Sequence, residues 1–112
     1  MFINRRLSPL AHKIETDYIA TGFKNMIGNK GAVKIKFQLV DTTIVLINGH
    51  LHSGLEGVAN RNNDVEMILN RFVYSRDKKD STRVLPEVKL PNILMLLGDL
   101  NYRINGYKPS II

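Results

Sequence analysis

Asp99, Asn101, Tyr102 and Arg103 follow an apolar run, Ile93-Leu94-Met95-Leu96-Leu97, with only Gly98 between the run and Asp99. Such a run suits a strand buried on both faces, and the glycine allows a tight exit or a close approach. In extended backbone Asp99 and Asn101 project to one side, so a carboxylate and an amide can address one oxyanion and the water attacking it. Three other polar sites also fall where apolar stretches end: Asn29-Lys30 in G-N-K-G, His50 after the run at 44–47, and Arg61-Asn62 in a stretch of helical pattern. Together they supply a carboxylate for water, amides for oxygens, an imidazole for the phosphoryl group and cations for its charge. This is the set that metal-assisted phosphoryl hydrolysis requires. Singly, each has a structural alternative. G-N-K-G reads as a turn with a solvated lysine, His50 as a satisfied strand-end histidine, His52 as part of a helix cap region, and Lys34 and Lys36 as a solvated strand face.

The elements that must position these groups are legible in the pattern. Residues 18–23 form a short β-prone stretch, and 23–31 a glycine- and asparagine-containing loop. Residues 31–39 alternate strictly, with Val33, Ile35, Phe37 and Leu39 on one face and Ala32, Lys34, Lys36 and Gln38 on the other. A turn at Asp41-Thr42 leads into 43–49, whose run at 44–47 predicts an interior strand and a hairpin with the strand before it. Ser53 and Glu56 have capping-box spacing and predict a helix to about residue 72. Its core stripe is Val58, Val65, Leu69 and Phe72, and Asn62 on that stripe requires partners beneath the helix. Residues 74–91, with Pro86 and Pro91, read as a long loop. The fold class is therefore α/β with mixed strands and one main helix. One helix cannot cover both faces of such a sheet, so the chain reads as part of a larger layered domain.

At 112 residues and 44% apolar content the chain suits one small globular domain. Its 16 Lys+Arg against 10 Asp+Glu, a formal charge of +6, favour an anionic partner: nucleic acid, a membrane surface or a phosphorylated substrate. With no cysteine, disulfides and thiolate metal sites are excluded and a reducing compartment is favoured. The N-terminus lacks the apolar core of a signal peptide, and no run approaches the ~20 apolar residues of a membrane span. The expected location is cytoplasmic.

Four strings, GNKGAV at 28–33, NGHLHSG at 48–54, RNND at 61–64 and GDLNYRI at 98–104, occur in the order and spacing of the inositol polyphosphate 5-phosphatases, which this chain resembles from about Tyr18 to Ile104. The resemblance implies a DNase I-like four-layer α/β/β/α sandwich of the endonuclease/exonuclease/phosphatase superfamily. It also implies a Mg2+ ion and hydrolysis of the 5-phosphate of inositol phosphates or phosphoinositide lipids, at the cytosolic face of membranes. Residue by residue, Asp99 matches the carboxylate that activates water, Asn101 the amide that holds the phosphoryl group, and His50 the histidine on the scissile phosphate, with Gly49 in place of the family's serine. Asn29 and Lys30 match the loop beside the substrate, Arg61 and Asn62 the string that buttresses it, and Arg103 a structural or phosphate-facing cation. The family's metal-binding asparagine and glutamate, its P-x-W-C-D-R string and its terminal Asp-His pair have no match. The expectation is therefore a partial catalytic domain over 1–112, with metal ligands unassigned.

Two rivals remain at this level. A nuclease of the same superfamily shares G-D-x-N, although G-N-K-G and Tyr102-Arg103 argue against nucleic acid. A noncatalytic membrane-surface remnant would use the acid-free basic run of Lys24, Lys30, Lys34 and Lys36.

Overall fold

The computed structural model describes residues 2–22, 29–74 and 89–103. Most of the expected loops at 23–31 and 74–91, together with Lys24 and Ile104, lie outside the described residues. The elements are β1 (Ala11–Ala20), β2 (Gly31–Leu39), β3 (Thr42–His50), α1 (Val58–Phe72) and β4 (Ile93–Asp99). They form a sheet in the order β1-β2-β3-β4, antiparallel except for the parallel pair β3/β4. The hairpin closes at Leu39 and Thr42, with Val40 at φ 58° in the two-residue loop, where short hairpins favour left-handed backbone. Parallel neighbours need a long crossover, which the segment containing α1 supplies.

Registered partners share a face, so the pairing sorts the side chains. Ala32, Val45, Ile47 and Gly49 face α1 and meet Leu51, Ile68, Phe72 and Val73 in the core, with Ile19, Val65, Leu69, Leu96 and Leu100 packed around it. Lys34 and Lys36 lie on this same face, paired with Ile47 and Val45. They are therefore not a free solvated face: Lys34 Nζ stands 5.5 Å from the Phe72 ring centroid, and Lys36 Nζ is 3.4 Å from Glu15 Oε2. A single 15-residue helix is too narrow for the sheet, and lysine stems fill the margin while their charges reach outward. The more apolar set of β2 points the other way, where Tyr18, Val33, Ile93, Met95 and Leu97 are exposed.

Four further expectations change. Strand β1 begins at Ala11, seven residues before the β-prone stretch at 18–23, because an edge strand carrying His, Lys, Glu and Asp shows little hydropathic pattern. Strand β4 is apolar as read but sits at the edge of the described sheet, with Leu94, Met95 and Leu97 more than 40% exposed. The helix starts at Val58, and no side chain caps it. Residues 53–57 form a turn instead, since Gly57 packs so closely that a Cβ there would lie 2.8 Å from both Arg61 Nη1 and Ser53 O. The helix phase also shifts: the buried stripe is Arg61, Asp64, Ile68 and Phe72, while Asn62 is exposed and Val58 half-exposed. Two charged residues occupy inward slots that hydropathy assigns to solvent.

The last turn of α1 is tied to the edge strand by Arg71, whose Nε and Nη2 donate to Asp17 Oδ2 and Oδ1 at 3.1 and 3.3 Å. The Arg71 hydrogen bond holds the Asp17 carboxyl below its ordinary value of 3.8, against an opposing effect of burial. With the folded value below the unfolded one, the stabilisation is complete above 3.8 and is lost as pH falls through the folded value. Arg71→Ala is therefore expected to lower the urea midpoint slightly at neutral pH, by less than about 1 kcal/mol for so exposed a pair. The difference should shrink towards zero in acid, and a difference that persists there would assign the effect to packing.

Candidate active site

Register alone gathers three of the expected site residues. Because β3 and β4 are parallel, their last residues, His50 and Asp99, are partners. Antiparallel β2 brings its first residue, Gly31, opposite His50, which sets Lys30 beside the imidazole. Lys30 Nζ lies 2.6 Å from His50 Nε2, and Asp99 Oδ2 lies 3.7 Å from the same nitrogen. At 2.6 Å the ammonium donates and Nε2 accepts through its lone pair, which leaves the ring proton on Nδ1. Both rim side chains are open to incoming molecules, His50 at 52% and Asp99 at 65% exposure. Asn29, also exposed, precedes Lys30 in the same turn.

Asn101 behaves differently. The strand ends at Asp99, and both Gly98 (φ 117°) and Asn101 (φ 55°) have positive φ, so the extended backbone that would align Asn101 with Asp99 is absent. Asn101 Nδ2 donates to Leu51 O at 3.0 Å, its main-chain N–H donates to Asp99 Oδ1 at 3.2 Å, and its Oδ1 accepts from Arg103 Nη2 at 3.3 Å. Its amide thus secures the main chain beside the rim, and Asp99 keeps Oδ2 directed towards His50. Arg103 is spent on Asn101 and does not approach the His50–Asp99 pair.

Arg61 and Asn62 also act away from the rim. Arg61 is fully buried, donates Nη1 to His52 O at 3.1 Å and to Gly54 O at 2.7 Å, and lies 5.4 Å from the Tyr102 ring centroid. Its Nε and Nη2 have no hydrogen-bond partner among the described residues. Asn62 Oδ1 accepts from the Tyr102 hydroxyl at 2.7 Å, so the exposed amide finds its partner in the segment after β4 rather than beneath the helix. Tyr102 also borders an open, mostly apolar concavity with Asn62, Val65, Leu69 and Tyr74, on the helix flank and apart from the His50–Asp99 rim. Sequence pattern alone assigns Asp64 no role and His52 only a place in the cap region. Asp64 Oδ2 accepts both the His52 N–H at 2.9 Å and His52 Nδ1 at 2.6 Å. A signal was present: Arg61 and Asp64 share a stripe with Ile68 and Phe72, and buried charge demands partners.

Among the described residues no three His, Asp or Glu side chains converge as a metal site. The rim offers one carboxylate beside a lysine and an imidazole. A divalent cation such as magnesium needs more oxygen donors than that, so the described residues do not by themselves fit the ion.

Comparisons with known proteins agree with this arrangement of elements. The family description "Endonuclease/Exonuclease/phosphatase family 2" matches residues 1–112. A polyphosphatidylinositol phosphatase of Saccharomyces cerevisiae is 34% identical over 104 residues, covering 93% of this chain and 9% of the relative. The phosphatidylinositol 3,4,5-trisphosphate 5-phosphatase 1 of Rattus norvegicus is 42% identical over 89 residues, covering 80% of this chain and 7% of the relative. The chain thus spans less than a tenth of the length of either. Among solved structures, the inositol polyphosphate 5-phosphatase domain of spSynaptojanin, in complex with inositol (1,4)-bisphosphate and calcium ion, superposes with a TM-score of 0.68 at 24% identity, over 96% of this chain and 28% of that one. The fold is accordingly the DNase I-like α/β type. Matched along its whole length, the chain belongs to endonuclease/exonuclease/phosphatase family 2 and is a relative of the inositol polyphosphate 5-phosphatases.

Proposed function

We propose that this chain carries the central part of a magnesium-dependent catalytic domain that removes the 5-phosphate from inositol phosphates or phosphoinositide lipids, in the cytoplasm and at the cytosolic surface of membranes. The observation that carries the reading is the register that sets Lys30, His50 and Asp99 together at the ends of β2, β3 and β4. In this reading Asp99 Oδ2 orients the attacking water and takes its proton. His50 faces the phosphoryl oxygens, and Lys30 leaves Nε2 to meet the phosphate charge. Asn101, Arg61 and Asn62 hold the surrounding main chain. A bound metal would supply charge neutralisation at the phosphate, through donors beyond those described here.

Lysine placement weakens the membrane-remnant reading. Lys34 and Lys36 are engaged with Phe72 and Glu15 on the helix face, and Lys30 lies at the rim, so these three do not form one basic surface.

The test uses the purified chain beside the Saccharomyces cerevisiae relative in which residues 1–112 replace the matched segment. Inositol trisphosphate hydrolysis with magnesium is expected from the hybrid. None is expected from the chain alone, because groups that act as a unit lose most of their effect when some are missing. The isolated chain should also self-associate through the exposed apolar residues Tyr18, Val33, Ile93, Met95 and Leu97, read by sedimentation. Plasmid nicking without phosphate release would instead favour the nuclease.

Within the hybrid, Lys30→Ala is expected to lower kcat/KM about tenfold or more, since a cation beside the phosphate is lost. Lys34→Ala, on the helix face, should change it less than about twofold. Equal losses would indicate a diffuse charge effect.

A further inference from the structure

The segment after His50 has no strand partner, since β3 ends there and residues 51–57 are irregular. Its main chain is nevertheless held along its first four residues. Leu51 N–H donates to Asp99 O at 3.0 Å, and Leu51 O accepts from Asn101 Nδ2 at 3.0 Å. His52 N–H donates to Asp64 Oδ2 at 2.9 Å, while His52 O and Gly54 O accept from Arg61 Nη1 at 3.1 and 2.7 Å. The same Asp64 oxygen receives the His52 ring nitrogen Nδ1 at 2.6 Å. One oxygen therefore fixes both the main chain and the side chain of His52, from a carboxylate only 2% exposed.

We infer that Asp64, acting through His52, is a positioning residue for His50. The inference rests on the phosphatase reading for what His50 does, but its test does not depend on turnover. His50 is half-exposed, and among the described residues its ring has two polar partners, Lys30 and the more distant Asp99. Two such contacts do not hold an imidazole within the ~0.5 Å and 10–20° that a working site tolerates. Direction must come from the backbone, and the peptide planes on the C-terminal side of His50 lead straight to the His52 N–H that Asp64 binds. Burying a carboxylate is costly unless it is fully engaged, and Asp64 is engaged by His52 at two points. A charged acceptor suits the task, because charge-assisted hydrogen bonds are shorter and stronger than neutral ones.

The consequence is measurable at His50 itself. Its Nε2 lone pair is occupied by Lys30 and is shielded from electrophiles while that contact lasts. Acylation by diethyl pyrocarbonate, read residue by residue by peptide mass spectrometry on dilute 112-residue protein, reports that shielding. His12, on β1 with Nδ1 3.1 Å from Leu10 O, serves as the internal reference. Asp64→Leu keeps the bulk and removes the acceptor; it is expected to raise the His50 rate about threefold or more relative to His12, as the imidazole loses its direction. Asp64→Asn restores an oxygen acceptor and should return the His50 rate to near the native value. His52→Phe, which deletes only the ring donor, should also raise it, and gives an independent reading if Asp64→Leu fails to fold. An unchanged His50 rate in His52→Phe, or in folded Asp64→Leu, overturns the inference. Equal increases in Asp64→Leu and Asp64→Asn would also overturn it, because the effect would then be one of packing.

Discussion

Gly98→Ala is expected to be strongly destabilising, because it forces β4 away from β3. A Cβ at this position would lie 2.2 Å from Gly49 O, 2.4 Å from Asn48 Oδ1 and 3.0 Å from Gly49 N, with φ at 117°. Two of these three atoms are main chain of the neighbouring strand, so no side-chain rotation relieves the overlap. Strand β4 must separate from β3 at the end where Asp99 meets His50. Strain and lost pairing together are expected to cost about 3 kcal/mol or more. Gly54→Ala is the control: its φ is 97°, yet nothing lies within 4 Å of the added Cβ. Only the backbone penalty of about 1–2 kcal/mol should appear there. Urea denaturation of the two variants measures the contrast, and equal midpoints would mean that β4 does not approach β3 as closely as described.

Asp99→Ala in the hybrid with the Saccharomyces cerevisiae relative is expected to lower kcat by about 10²–10⁴-fold, the range for removing a group that transfers a proton in the transition state. KM should change little, because a carboxylate contributes no attraction to an anionic substrate. His50→Ala should lower kcat as well and also raise KM, since an imidazole at the phosphoryl oxygens serves binding and reaction alike. Steady-state kinetics on the two variants separates the roles. A rise in KM alone for Asp99→Ala would remove it from the chemistry and leave it a structural acceptor for the Asn101 N–H.

Most of the frame was legible in the sequence. The strict alternation in β2 and the apolar run of β3 determine the hairpin, and the two strand ends place Lys30 beside His50. The run 93–97 marks β4, though not its place in the sheet. An apolar strand reads the same whether it is covered or waiting for cover, and only the pairing shows it at the edge of the described sheet. Helix phase failed for a physical reason: Arg61 and Asp64 are buried to hold the main chain after His50, so hydropathy turned the helix by about one residue. Asn101 was misdirected because the same-side rule presumes extended backbone, and positive φ at Gly98 and Asn101 breaks that assumption. The gathering of Lys30, His50 and Asp99 is legible nonetheless, since it depends on strand ends, which register fixes, rather than on the helix face.

The most direct measurement is 31P NMR of inositol 1,4,5-trisphosphate incubated with magnesium and the hybrid carrying residues 1–112. The account predicts loss of the 5-phosphate resonance alone, matched by growth of inorganic phosphate, and no change when the hybrid carries Asp99→Ala. Loss of the 1- or 4-phosphate instead, or 5-phosphate release that survives Asp99→Ala, would contradict it.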